Sequence, residues 1–149
     1  MRILVLNGVN LNMFGRRDPR HYGKASLADI EAAMRRLAEE LGCGLEFFQS
    51  NSESAMIERI HATLDEGVDA IVINAGAWTH YSHALADALA ICAIPIVEVH
   101  MSNIFAREAF RHFSVISPLA RGCVAGFGVE SYLLGLRAAC AEVEKGNCP

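Results

Sequence analysis

The chain has 149 residues, 52% of them apolar and 20% charged, with a formal net charge of −4. That length and balance suit one globular domain over residues 1–149 with a sizeable core, and the apolar excess suits a sheet buried on both faces, a subunit interface, or both. The acidic balance argues against nucleic acid, and no window reaches the roughly 18 unbroken apolar residues of a membrane span.

Met1 leads almost directly into an apolar run at 3–7 (ILVLN), without the charged start of a secretory leader. Ser26 then opens a helical pattern through Leu27, Ile30, Met34, Leu37 and Leu41, with Gly42 as its stop. Residues 45–48 (LEFF) read as a second strand, and 53–66 as a helix with Met56, Ile57, Ile60 and Leu64 on its apolar face. A third strand, 70–73, stops at Asn74; 81–91 follow as a helix; and Pro95 precedes a fourth strand, 96–99, that stops at His100. Residues 104–112 read as a short helix, 123–127 as a fifth strand and 129–144 as a closing helix. Strands alternating with helices predict a doubly wound parallel sheet of the flavodoxin-like α/β class, order 2-1-3-4-5, with helices on both faces. The five cysteines, Cys43, Cys92, Cys123, Cys140 and Cys148, form no CxxC pair, which points to reduced thiols in a cytoplasmic protein without zinc.

Open parallel sheets bind ligands beyond the carboxyl ends of their strands. Asn7, Asn10 and Asn12 follow strand one, Ser50 and Asn51 strand two, and Asn74, Gly76, Thr79 and His80 strand three. Strand four supplies Glu98, His100, Ser102 and Asn103. Any one of these is an ordinary turn residue, but four strands ending in polar groups mark a site. Glu98 and His100 stand two apart, so both side chains share a face, and a carboxylate there fixes the imidazole's tautomer for general-acid work. His80 has no carboxylate close by in sequence, which leaves binding and structural roles open. The charged stretch 16–24 (RRDPRHYGK) must pass the same crevice, and its arginines, beside Tyr22, favour the phenolate in a loop able to close as a lid. Arg107 and Arg111, four apart, share a face if their segment is helical, and suit an anionic or polyhydroxylated ligand.

The usual loops for other ligands are missing. No GxGxxG or GxxxxGK[ST] follows strand one, no Asp ends strand three as in phosphorylated receiver domains, and no HExxH or dense Cys/His run offers a metal cage. A binding or regulatory protein of the same fold would not need the basic tyrosine loop together with an acid-like histidine. An electron carrier holding flavin would be yellow.

These residues together resemble type II 3-dehydroquinate dehydratase. The blocks NGVNLN, GRRDPRHYG, EFFQSNSE, INAGAWTHYS, PIVEVHMSNIFAREAFRHFS, SPLARGCVAGFG and ESYLLGLRA look like that family's, in its order, over nearly the whole chain. The resemblance implies anti elimination of water from 3-dehydroquinate through an enolate, with no Schiff base, cofactor or metal. It implies Tyr22 as base, Arg17 as the arginine favouring the tyrosinate, His100 as acid and Glu98 as its orienting partner. Asn10 would hold the water on the enolate oxygen. Asn74, His80, Met101, Ser102 and Arg111 would bind substrate, Arg107 would stand beside the tyrosine, and Asp87 would reach the site from a neighbouring subunit. A homo-oligomer is implied, trimers stacked into a dodecamer. Val9 replaces a frequent Pro, Asp18 a Glu, Phe105 a His and Ala86 an Arg, the last at the subunit contact near Asp87.

Overall fold

The structure, a computed structural model, describes residues 1–146; Cys148 lies outside the described residues. Five parallel strands, β1 (Arg2–Asn7), β2 (Gly44–Gln49), β3 (Ala70–Asn74), β4 (Ile96–His100) and β5 (Gly122–Ala125), form one sheet in the order β2-β1-β3-β4-β5. The helices are α1 (Pro19–Tyr22), α2 (Leu27–Leu41), α3 (Glu53–Glu66), α4 (His83–Ala90) and α5 (Val129–Gly146). Side chains alternate across a strand, so β1, β3 and β4 supply two cores at once. Ile3, Val5, Val72 and Val99 pack with Ile30 and Met34 of α2 and Tyr132 and Leu136 of α5. Leu4, Leu6, Ile71 and Ile73 pack with Met56 and Ile60 of α3 and Leu85 and Leu89 of α4. Each such side chain contributes about 1.5–3 kcal/mol on burial, which makes the sheet's centre the rigid part of the molecule.

Helix starts follow local chemistry. Ser26 caps α2 in a reciprocal pair with Asp29, and Ser52 and Ser82 cap α3 and α4. Leu64 departs from the predicted apolar face of α3 and is 53% exposed, while Thr63 is buried. Counting from Met56, Thr63 falls within about 20° of the same face and Leu64 about 80° round from it. The fifth strand ends at Ala125, two residues short of the expected bound, where Gly126 takes φ +99°, a conformation that favours glycine, and a side chain there would crowd Asn103.

The predicted helix over 104–112 is two separate 3-10 turns, Ile104–Ala106 and Ala109–His112. Between them Arg107 and Glu108 are extended, so Arg107 and Arg111 do not share a helix face. The segment lacks helical periodicity, and the Asn103 side chain accepts from the Phe105 amide and closes the first turn locally. The 16–24 stretch, expected as a loop, carries α1, started by Asp18 accepting from the Arg20 amide with Pro19 at the first position. No described helix is long and apolar enough to cross a membrane.

One close approach sets the shape of the sheet's carboxyl edge. A side chain at Gly8 would run into the backbone of Ala75, so only glycine lets the turn after β1 lie directly on the turn after β3. That contact brings Val9, Asn10 and Leu11 beside Asn74 and Gly76.

Candidate active site

At that edge Asn10, Arg17, Tyr22, Asn74, His80, His100, Met101, Ser102, Arg107 and Arg111 line a single cleft. Ten of the twelve residues expected at a site are therefore brought together, from four separate stretches of chain. Glu98 lies behind His100, wholly buried. Asp87 is exposed on α4 and lines no part of this cleft. Among the other strand-end polar residues, Asn12 is exposed, and Asn51 accepts from the Asn10 amide at 2.8 Å. Asn10 itself holds φ 65°, a left-handed conformation that asparagine tolerates well.

The strand-end half of the cleft is a hydrogen-bonded block. His100 Nε2 donates to Glu98 Oε1 at 2.6 Å, leaving Nδ1 as the ring nitrogen free for a ligand. Ser114 Oγ donates to both Glu98 oxygens at 3.0 Å, and Ser117 Oγ donates to one of them. Burial pushes the Glu98 carboxyl up, but the His100, Ser117 and Ser114 bonds outweigh it and hold the group below the usual carboxylate range. The result is a buried anion aimed at an imidazole.

His80, from the 3-10 turn Gly76–His80, is not the unpartnered side chain its surroundings in sequence suggest. Its Nδ1 donates to the Phe113 carbonyl at 2.8 Å, and its ring stacks on His100 with centroids 6.4 Å apart. Burial pushes its pKa down, helped by the nearby positive charges of His100 and Arg111 against the raising effect of Phe113 and Glu98. A neutral His80 offers Nε2 as an acceptor. Asn74 is held at both ends: Oδ1 accepts from the Gly76 amide at 3.1 Å, and Nδ2 donates to Tyr132 Oη at 3.0 Å. Tyr132 Oη donates to Asn7 Oδ1 at 2.7 Å, and burial pushes its phenol far above the ordinary range, so it serves as a fixed neutral link.

The loop half is held by cations. Tyr22, at the end of α1, is only 7% exposed, with its ring against Phe14 at 5.7 Å. Arg17 places its guanidinium carbon 4.0 Å from the ring centroid, over the negative face of the π system. Arg107 Nη1 donates to Tyr22 Oη at 2.7 Å and to Ser102 Oγ at 3.1 Å. The two arginines thus set positive charge against the tyrosine ring and its oxygen. Arg111, the third cleft arginine, is oriented by Glu108 at 2.8 Å. With Glu98 turned away behind His100, the cleft presents three cations and no competing carboxylate, an arrangement for an anionic ligand.

Sequence reasoning placed Arg107 only beside the tyrosine; it is the direct donor to its hydroxyl. It missed Ser114, Ser117 and Tyr132 entirely. The two serines follow a 3-10 turn as ordinary loop residues, and Tyr132 reads as one more apolar position of α5, so no local signal distinguished them.

Residues 1–140 match the family model for dehydroquinase class II. A 3-dehydroquinate dehydratase from Leptothrix cholodnii is 63% identical over 139 residues, 93% of each chain. One from Syntrophotalea carbinolica is also 63% identical, over 146 residues, 98% of this chain and 99% of that protein. The crystal structure of a type II dehydroquinase from Butyrivibrio crossotus superposes with a TM-score of 0.91 at 40% identity, covering 93% of this chain and 97% of that one.

Proposed function

The chain belongs to the dehydroquinase class II family and is an enzyme of the 3-dehydroquinate dehydratase type, a hydro-lyase, and on that premise we propose that it eliminates water from 3-dehydroquinate with Tyr22 as base and His100 as acid. Removal of a proton α to a ketone needs a base and a stabilised oxyanion, and loss of a hydroxyl needs an acid. The cleft offers each. Tyr22, as phenolate under Arg17 and Arg107, takes the C2 proton and leaves an enolate. Asn10 holds the water that hydrogen-bonds the enolate oxygen. His100, protonated over the Glu98 anion, then gives its Nδ1 proton to the C1 hydroxyl, which departs as water on the opposite face.

Substrate is held by Asn74, His80 and Arg111, with its carboxylate at Ser102 and the Met101 backbone. No Schiff base, cofactor or metal enters these steps. Asp87 reaches the cleft of a neighbouring subunit, and the chains assemble as trimers stacked into a dodecamer in the cytoplasm. That assembly fits the exposed apolar residues Leu64, Tyr81 and Ile91 around α3 and α4, the side that also carries Asp87. The whole chain, residues 1–149, acts as one domain.

The observation that carries the mechanism is the Arg107 to Tyr22 bond in the same cleft as the Glu98-backed His100. Purified protein mixed with 3-dehydroquinate is expected to generate the enone absorbance of 3-dehydroshikimate. A folded sample that gives no such signal sinks the activity, and retained turnover in Tyr22→Phe removes the tyrosine from its role.

A further inference from the structure

The Glu98–His100 pair has a second neighbour that the mechanism does not use. The register of β4 and β5 sets Cys123 beside Glu98. The Cys123 sulfur, a Glu98 carboxylate oxygen and a His100 ring nitrogen all lie within 4.8 Å of one another, the only such cluster of three metal-ligating side chains among the described residues. Cys123 also lines a second cavity with Ser114, Ser117 and the exposed rings of Phe105, Phe113 and Phe127. That cavity shares no lining residue with the cleft. The buried pair thus stands between two openings, with the cleft beyond His100 and a thiol on the other side.

We propose that Glu98, His100 and Cys123 form a site for a thiophilic divalent cation of the Zn²⁺ and Cd²⁺ class, entered from the second cavity, and that its occupation switches the enzyme off. The binding half stands on geometry alone, and the inhibitory half rests on the role given to His100 above. A tetrahedral Zn²⁺ takes sulfur at about 2.3 Å and nitrogen or oxygen at about 2.0–2.2 Å, which puts neighbouring ligand atoms roughly 3.3–3.7 Å apart. Glu98 and His100, now 2.6 Å apart, would separate by about 1 Å and the sulfur would move inward by a similar amount. Side-chain rotation supplies both shifts, while Ser114 and Ser117 keep hold of the carboxylate.

On binding, the Cys123 S–H and the His100 Nε2–H each give their proton to solvent, metal bonds form to sulfur and nitrogen, and no electron is transferred. Thiolate and carboxylate together neutralise the cation. A thiolate ligand selects Zn²⁺ and Cd²⁺ over Mg²⁺ and Ca²⁺. With its Nε2 on the metal, His100 is held as a ligand away from Glu98 and is lost to the proton transfer proposed above. The cluster is invisible along the chain because Cys123 joins residues 98 and 100 only through strand pairing.

The test uses the full chain carrying Cys43→Ser and Cys140→Ser, because those two thiols lie 3.7 Å apart and would attract the same ions. Cd²⁺ titration, followed by thiolate-to-metal charge-transfer absorbance, is expected to lose one equivalent per chain when Cys123→Ser is added. Zn²⁺ is expected to inhibit turnover reversibly, a chelator restoring it. Cys123→Ser, at a position outside the cleft, keeps basal turnover and raises the half-inhibiting Zn²⁺ concentration at least about tenfold. Unchanged Cd²⁺ absorbance in Cys123→Ser overturns the site, and undiminished Zn²⁺ inhibition in that variant, or bound Cd²⁺ without loss of turnover, overturns the switch. If the parent protein does not dehydrate 3-dehydroquinate at all, the function proposed above fails while the Cd²⁺ difference still reads the site.

Discussion

The two halves of the cleft are built on different principles. The strand-end half, with Asn74, Glu98 and His100, is fixed by sheet register and by buried hydrogen bonds that reach every polar atom of Glu98. The loop half, with Arg17 and Tyr22, is carried on no strand; beyond the packing of the Tyr22 ring it is held by cation contacts, one of them from Arg107, 85 positions away. The proposed mechanism uses both kinds. An acid that must stay in one tautomer gains from a rigid strand end, whereas a base whose oxygen must carry charge gains from cations that a loop can bring over it.

One substitution in each half would separate these principles most sharply. Tyr22→Phe is expected to lower kcat by about 10²–10⁴ with little change in the thermal melt, because the ring keeps its packing on Phe14. A melt that falls steeply would mean the loop half is structural. Glu98→Gln takes the anion from the strand-end block and breaks a buried pair, an expected loss of roughly 3–5 kcal/mol in urea unfolding together with turnover. Retention of wild-type stability there would show that the serines alone hold the site.

Within the loop half, Arg107→Lys forfeits the donor pair to Tyr22 and Ser102 and is expected to cost about 10²–10³ in kcat. Arg17→Lys keeps a cation over the ring and should cost less than about tenfold, since the remaining contact is cation–π, worth about 0.5–2 kcal/mol. Equal losses would erase the distinction between the two arginines. Tyr132→Phe is the strand-end counterpart of Tyr22→Phe: it strands Asn7 and Asn74 and should cost about 1–3 kcal/mol of stability, with turnover falling less than in Tyr22→Phe.

The smallest effect is in pH. His80 has a folded pKa below its unfolded value, so the unfolded chain takes up its proton first as pH falls. Stability is therefore expected to decline from about pH 6.5 downward to the depressed pKa, and His80→Gln should flatten the chemical-denaturation midpoint over that window. An unchanged slope would show that His80 does not titrate as its buried position implies.

Much of this was legible along the chain because its causes are local. Short unbroken apolar runs at 3–7 and 70–73, apolar spacing at 27–41 and serines ahead of α2, α3 and α4 are short-range signals. So is the polar ending of the first four strands, which located the cleft. The 104–112 helix failed for the opposite reason. Helix formers there lack a periodic apolar face, and local caps at Asn103 and an extended Arg107–Glu108 won.

By itself, then, the sequence determined the strand order's class and the edge where His100 and the other strand-end polar groups gather, because periodicity and strand termini are properties of neighbouring residues; Tyr22 and its arginines stood out only through the charged 16–24 stretch and the family resemblance. Tertiary structure alone decided that Arg107 is the cation on the Tyr22 oxygen. It also decided that Ser114 and Ser117 hold Glu98, that Tyr132 locks Asn74, and that Cys123 stands beside the Glu98–His100 pair. Each of those contacts joins residues brought together by sheet register and loop packing, which no spacing along the chain encodes.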